Sequence, residues 1–263
     1  MCLAVIAIDA HPRHAVVVAA NRDEFHARDA QRAHWWNDDT GFALLAGRDL
    51  RHGGTWLGVN RLGRWAFVTN VREPGRNDPL APSRGALVPL VLRDGRDAGT
   101  AVERIAAQAA AYNGFNLVGG ERMSATFASN RAPGAHALPR GVSGLSNAGL
   151  DTPWPKLLRT KAGVAAWAAT GGDDLDALFD VLNDRVIADD DALPDTGLTR
   201  ERERLLSSPF IVSRDYGTRC STLLALGRDA TVHFLERSFN AAGEVTGDVV
   251  HRFRIEATQP ALG

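Results

Sequence analysis

The sequence predicts an α+β fold built on antiparallel sheet, and three observations carry that expectation. Short runs rich in Val, Ile and Ala lie toward both ends of the chain, with amphipathic helical patterns between them. The runs are joined by short turn segments, which favours antiparallel neighbours, because parallel ones need a long crossover. Sheet and helix therefore segregate along the chain, as in layered α+β architectures. The 263 residues are 44% hydrophobic, enough for a sizeable core, and no repeat or long linker divides them. A single domain over 1–263 is expected.

Taken in order, Cys2–Ile8 and Ala15–Ala20 read as a hairpin turning through Asp9–His14 with its Pro12. Thr55–Asn60 and Arg64–Asn70 read as a second hairpin around Arg61–Gly63. Gly53-Gly54 before it marks a loop of close backbone approach. Thr100 followed by Glu103 matches a capping box, with Val102, Ile105, Ala106 and Ala109 on one helical face. Phe115–Val118 and Met123–Ser129 read as strands turning at Gly119-Gly120. Trp154–Ala169 reads as a helix opened by Pro155 and closed by Gly171-Gly172. Asp173–Leu182 reads as another, and Asp189–Thr199 as an acidic loop. Strands are expected again at Phe210–Ser213, Cys220–Leu226, Thr231–Glu236 and Val249–Ile255.

Charge is nearly balanced, with 30 Lys and Arg against 31 Asp and Glu, so no basic excess points to nucleic acid. No apolar run reaches the length of a membrane span, and the first one stops at Asp9 without a charged leader. With two cysteines, Cys2 and Cys220, no disulfide framework is implied, and the expected location is the cytoplasm. Arginine is the default cation here; Lys156 and Lys161 are the only lysines.

The informative residue is Cys2. Removal of Met1 leaves a thiol and a free α-amine on one residue. With unperturbed pKa values of ~8.5 and ~7.7–8.0, the amine can take the thiol proton, so nucleophile and base come pre-assembled. Asn21-Arg22-Asp23-Glu24 ends the second strand and can lie beside the start of the first. A carboxylate there would hold the amine; a guanidinium would favour the thiolate. Asn70, Asn116 and Asn147 stand at element ends and could donate to an oxyanion. Arg219, in Tyr216-Gly217-Thr218-Arg219, could anchor an anionic group. Against these stand ordinary readings: a small residue at a chain end, a surface ion pair, turn asparagines, one Arg among many. No P-loop, dinucleotide fingerprint or His-Glu-x-x-His is present, Gly144–Ala148 lacks the second glycine of a serine elbow, and no metal site is expected.

Together these motifs resemble the NRDE family, also called the transport and Golgi organisation 2 family. The likeness rests on Met1-Cys2, Asn21-Arg22-Asp23-Glu24, Ala46-Gly47-Arg48-Asp49, Gly53-Gly54-Thr55-Trp56-Leu57-Gly58, Thr69-Asn70-Val71-Arg72 and Ser83-Arg84-Gly85. It continues through Tyr112–Leu117, Leu145-Ser146-Asn147-Ala148, Pro153-Trp154-Pro155-Lys156 and Tyr216–Arg219, and so covers nearly the whole chain. It implies a branch of the Ntn hydrolases: a four-layer αββα sandwich of two antiparallel sheets. The more distant cholylglycine hydrolases are similar in Met-Cys, in an Asn-x-Asp run like Asn21–Asp23, in asparagines like Asn70 and Asn147, and in a late Arg like Arg219. Their Arg three residues before the Asp is replaced here by Ala20, which leaves Arg22 to supply that charge. By strand alternation Arg22 shares a face with Ala20, while Asn21 and Asp23 point the other way. Both faces could reach one sulfur only at a bulge or a strand end.

The resemblance implies hydrolysis of a linear, non-peptide C–N amide by Cys2. Asp23 would position its amine, Asn70 and Asn147 the oxyanion, and Arg22 or Arg219 the thiolate or the substrate. Asn21, Trp56 and Asn116 are the expected substrate-binding residues. The partner would be a small amide or acyl compound, and no cofactor is needed. The alternative is a non-catalytic handler of haem or an acyl lipid, in keeping with the family's Golgi and secretion roles in eukaryotes. No Cys-Pro or Cys-x-x-Cys-His haem signature occurs.

Overall fold

The computed structural model describes residues 3–37 and 42–256. Strand β1 (Leu3–Ile8) turns through a left-handed Asp9 into β2 (His14–Phe25). Then follow β3 (Ala30–Asn37), β4 (Ala43–Asp49), β5 (Leu57–Asn60) and β6 (Trp65–Asn70). Two helices, α1 (Leu87–Arg93) and α2 (Ala98–Ala107), precede β7 (Phe115–Glu121), β8 (Ser124–Ser129), β9 (Ala135–Ala137) and β10 (Gly141–Leu145). Helices α3 (Pro155–Thr170), α4 (Ala177–Leu182) and α5 (Arg200–Leu205) lead into β11 (Tyr216–Gly227), β12 (Thr231–Phe239) and β13 (Val245–Arg254).

All strand pairs are antiparallel, in two sheets ordered β10-β1-β2-β11-β12-β13 and β3-β4-β5-β6-β7-β8-β9. Alternation along each strand assigns the layers. Ile6, Val16, Val18, Phe67, Val118 and Phe234 face inward between the sheets. Val5, Val17, Ala19 and Leu223 face outward against Leu157 and Val164 of α3 and Leu178 of α4. Leu44, Ala66, Phe115 and Leu117 meet Val88 of α1 and Val102 of α2. The α+β, αββα arrangement expected above is therefore the one observed.

Several local expectations are corrected. The α2 N-cap is Asp97, whose carboxylate accepts the Thr100 N–H (2.9 Å) and hydroxyl (2.6 Å); Thr100 is the third helical residue, not the cap. Gly119-Gly120 continue β7 instead of turning it. A Cβ on Gly120 would meet Trp65 at 2.5 Å, so the glycine is there for close packing, and the turn falls at a left-handed Arg122. Phe210–Ser213 is no strand; it is held by isolated bonds such as Phe210 N–H to Asp184 O and Ile211 N–H to the Thr218 hydroxyl. Helix α4 begins four residues later than Asp173, whereas α3 ends as expected at a left-handed Gly171. Among the described residues no helix is long and apolar enough to cross a membrane.

At the sheet end opposite the candidate site, His14 is buried and neither ring nitrogen has a hydrogen-bond partner. Burial, then the neighbouring His11 and His233, lowers its pKa from 6.5 to about 4. Between those values the unfolded chain binds more protons than the folded one, so stability falls with acidification from pH 6.5 toward 4. The loss amounts to about 3 kcal/mol. Urea midpoints across that window should show this loss in the wild type and not in His14→Leu.

Candidate functional site

The site is organised by the end of β2. Alternation continues through the Asn-Arg-Asp run, as the sequence requires. Asn21 turns to the helical layer. It is fully buried, donates to Leu182 O (2.8 Å) and Pro209 O (2.9 Å), and accepts the Ser221 hydroxyl (2.6 Å). It therefore anchors the wall of the site and faces away from the cleft. Arg22 turns inward, with its guanidinium 4.5 Å from the Trp56 ring centroid. The pairing with β11 then slips: Arg22 stands opposite Cys220 but Asp23 opposite Thr218, leaving Arg219 as the extra residue of a bulge. Asp23, also buried, accepts the Thr218 hydroxyl at 2.7 Å.

Asp49, at the end of β4, ties the arginines together. Its Oδ2 accepts Arg28 Nε (2.6 Å) and Arg22 Nη2 (3.3 Å), while Oδ1 accepts the N–H groups of Arg51 and His52. Glu24 adds a 3.2 Å contact to Arg28. Burial pushes the Asp49 carboxyl up, but the Arg28 bond, the His52 N–H and the two guanidinium charges outweigh it and hold the pKa below 3.8.

A second group forms where β6 and β10 end. Asn147 donates from Nδ2 to Asn70 O (3.1 Å) and accepts the Arg72 N–H on its backbone oxygen (2.8 Å). Asn116 lies beneath, donating to Ala148 O (2.6 Å) and the Thr69 hydroxyl (3.1 Å). It is fully buried and fixes the Asn147 loop without lining the cleft. Arg72 packs over Trp154 and pairs with the buried Glu203 at 2.6 Å.

These groups line two adjoining halves of one cleft. The first, about 310 Å³, has Arg22, Trp56, Asp49, Arg28 and Arg84 in its walls. The second, about 280 Å³, has Asp23, Asn147, Lys156, Arg72 and Tyr216. Asn70, Asn77 and Arg84 line both. The structure thus brings Asp23, Asn70 and Asn147 together, with Arg22 and Trp56 in the neighbouring half. Arg219 stands outside: its Nη1 donates to the carbonyls of Phe25 and His26 and secures the β2 end. Cys2 lies outside the described residues.

Sequence reasoning assigned no role to Asp49, Arg84 or Lys156, although each stands inside a motif it had noticed. Lys156 is buried in the first turn of α3, where an exposed cation would be ordinary. Among the described residues, no cluster of three His, Cys, Asp or Glu side chains is set to hold a metal. His52 is the one imidazole lining the cleft among the described residues; the first half is walled largely by guanidinium, carboxylate and amide groups, and the second also by Val71, Pro74, Leu198 and Leu206.

The fold is shared with the C2A mutant of the conjugated bile acid hydrolase from Clostridium perfringens, at a TM-score of 0.50 and 10% identity over 97% of this chain and 92% of that one. The Transport and Golgi organization protein 2 homolog of Homo sapiens is 34% identical, with 90% of this chain and 93% of the relative covered. Its Bos taurus counterpart is 32% identical over 98% and 100%. Because the model of the Transport and Golgi organisation 2 family also matches residues 1–241, the chain belongs to that family.

Proposed function

We propose that this chain is an N-terminal cysteine hydrolase of a linear, non-peptide amide carrying an anionic group. The observation supporting this reading is the setting of the head of β1. Leu3 pairs with Asn21 on one side, and Ala4 with Leu145 on the other. The head of β1 therefore lies between the Asn21–Asp23 run and the Leu145–Asn147 loop, beside the cleft that Asp23 and Asn147 line. In the proposed reaction the α-amine takes the thiol proton and Sγ bonds to the acyl carbon. Collapse of the tetrahedral intermediate breaks the C–N bond, and the leaving amine receives that proton. Water then cleaves the thioester, returning the free thiol. Asp23 holds the α-ammonium, and the amides of Asn70 and Asn147 face the oxyanion. Arg84 and Arg72 favour an anionic acyl compound.

Intact mass and alkylation test the first requirement: the active protein should lack Met1 and lose activity on modification of Cys2. N-acyl amino acids, which carry a carboxylate, should be turned over by the wild type, and by Cys2→Ala ~10³-fold more slowly or less; the uncharged N-acyl homoserine lactones should be poorer substrates. Retention of Met1 in active protein, or no turnover of any amide, would overturn the reading. The arginine walls also suit a second reading, a non-catalytic holder of an anionic acyl thioester. It predicts ligand binding unchanged in Cys2→Ala and no turnover at all.

A further inference from the structure

Behind the cleft, between β3 and β12, lies a separate chamber of about 160 Å³. Arg22 and Trp56 line both spaces, so their stacked pair forms the partition. The chamber opens to solvent past Gln31 and Arg32, both exposed. Its interior holds Glu236, Cys220, Arg219 and Ser238.

Two atoms in this lining are incompletely satisfied. Glu236 is 2% exposed and its Oε1 accepts the Ala33 N–H at 2.7 Å, but its Oε2 accepts no hydrogen bond. Arg219 Nε is buried and donates to nothing. A buried polar atom without a partner costs roughly 1–3 kcal/mol, and native structures keep such atoms for a reason. One atom requires a donor and the other an acceptor. An apolar occupant would satisfy neither, a simple cation only Glu236, and a simple anion only Arg219. Burial, opposed by the Ala33 N–H, the Cys220 thiol and the charges of Arg22 and Arg32, lifts Glu236 to about 7, so it can ionise when a cation arrives. The Cys220 thiol is raised by burial and by Glu236, and stays neutral.

We propose that the chamber binds a small α-amino acid, with its ammonium on Glu236 Oε2 and its carboxylate on Arg219 Nε. The volume of about 160 Å³ suits glycine, alanine or serine. Gly47 leaves room beside the Glu236 carboxylate: a Cβ there would meet the Trp56 ring at 2.3 Å and stand 3.2 Å from Glu236 Oε2. The proposal does not depend on the cleft being a hydrolase site.

Calorimetric titration of the full chain at pH 7 with glycine, L-alanine and L-serine tests it. One saturable site is expected. Ethylamine and acetate, each carrying half of the ligand, should bind at least ~10-fold more weakly, as should glycine to Glu236→Gln. A second measurement needs no variant. At pH 6 the bound amine should drive a proton off Glu236, so the apparent binding heat should differ between buffers of different ionisation enthalpy. No saturable binding up to about 10 mM, equal affinity for the single-ended probes, undiminished affinity in Glu236→Gln, or absence of proton release would each overturn the proposal.

Discussion

Replacing Asn21 with Leu is expected to destabilise the protein by about 3–5 kcal/mol, although the residue touches nothing in the cleft. Leucine matches the volume but leaves Leu182 O, Pro209 O and the Ser221 hydroxyl buried without partners. The two carbonyls bracket the excursion 183–208, which supplies Leu198 and Leu206 to the cleft and Glu203 to Arg72. One side chain therefore closes both ends of a cleft wall. Urea unfolding should report the stability loss. Hydrogen exchange should show amides of 183–208 opening before those of β2 and β11, since a local release costs less than global unfolding. Uniform acceleration across the chain would mean that Asn21 supports the sheet and does not secure the excursion.

The layers were legible because they follow from alternation. Val16 and Val18 against Val17 and Ala19 divide one strand between two cores, and the period alone assigns the faces. The same rule separates Arg22 from Asn21 and Asp23. Strands β3, β4 and β10 were not legible. Gln31, Arg32, His34 and Asn37 make β3 polar, as suits an edge strand with most of its residues partly or fully exposed. In β4 a run closing on Gly47-Arg48-Asp49 reads as a turn. Strand β10 is Gly141–Leu145, whose two glycines argue for a loop until β1 offers it a partner. Helix α1 was hidden by Pro89, tolerated within the first helical turn.

In the site, residue types were readable and directions were not. Asn21, Asn70, Asn116 and Asn147 look alike in sequence, yet the first and third are fully buried in the scaffold, whereas Asn70 and Asn147 line the cleft. Arg219 belongs to a late strand, and only the bulge between Thr218 and Cys220 turns it toward the β2 end. Glu236 left a trace that could have been followed. Val232, Phe234 and Glu236 fall on one face of β12, so a carboxylate occupies a core position. Such a departure from alternation is where a functional group is worth seeking.

Asp49→Ala is expected to cost about 3–5 kcal/mol, because it leaves the Arg22 guanidinium buried with its next carboxylate, Glu24, at 4.0 Å. Arg28 is partly exposed and can turn to water. Arg22, with its side chain 5% exposed under Trp56, cannot. Removing the charge without the volume separates two contributions. Asp49→Asn keeps an acceptor for the Arg51 and His52 N–H groups and loses the ionic pairing, so its cost should be smaller. Truncating both partners, as Arg22→Met with Asp49→Leu, should recover part of the loss, since no buried charge is then left alone. If the double variant is as unstable as the sum of its parts, the two side chains act independently and the ion pair is not what holds the partition. Acid supplies a check without any substitution at Arg22. The folded Asp49 carboxyl titrates below 3.8, so its contribution is complete above the unfolded value and fades as pH falls through the lower folded one. The wild-type advantage over Asp49→Asn should therefore persist through the pH 4–6.5 window in which His14 weakens the fold, and decline only below it. An advantage that disappears already at pH 5 would assign the stabilisation to another group.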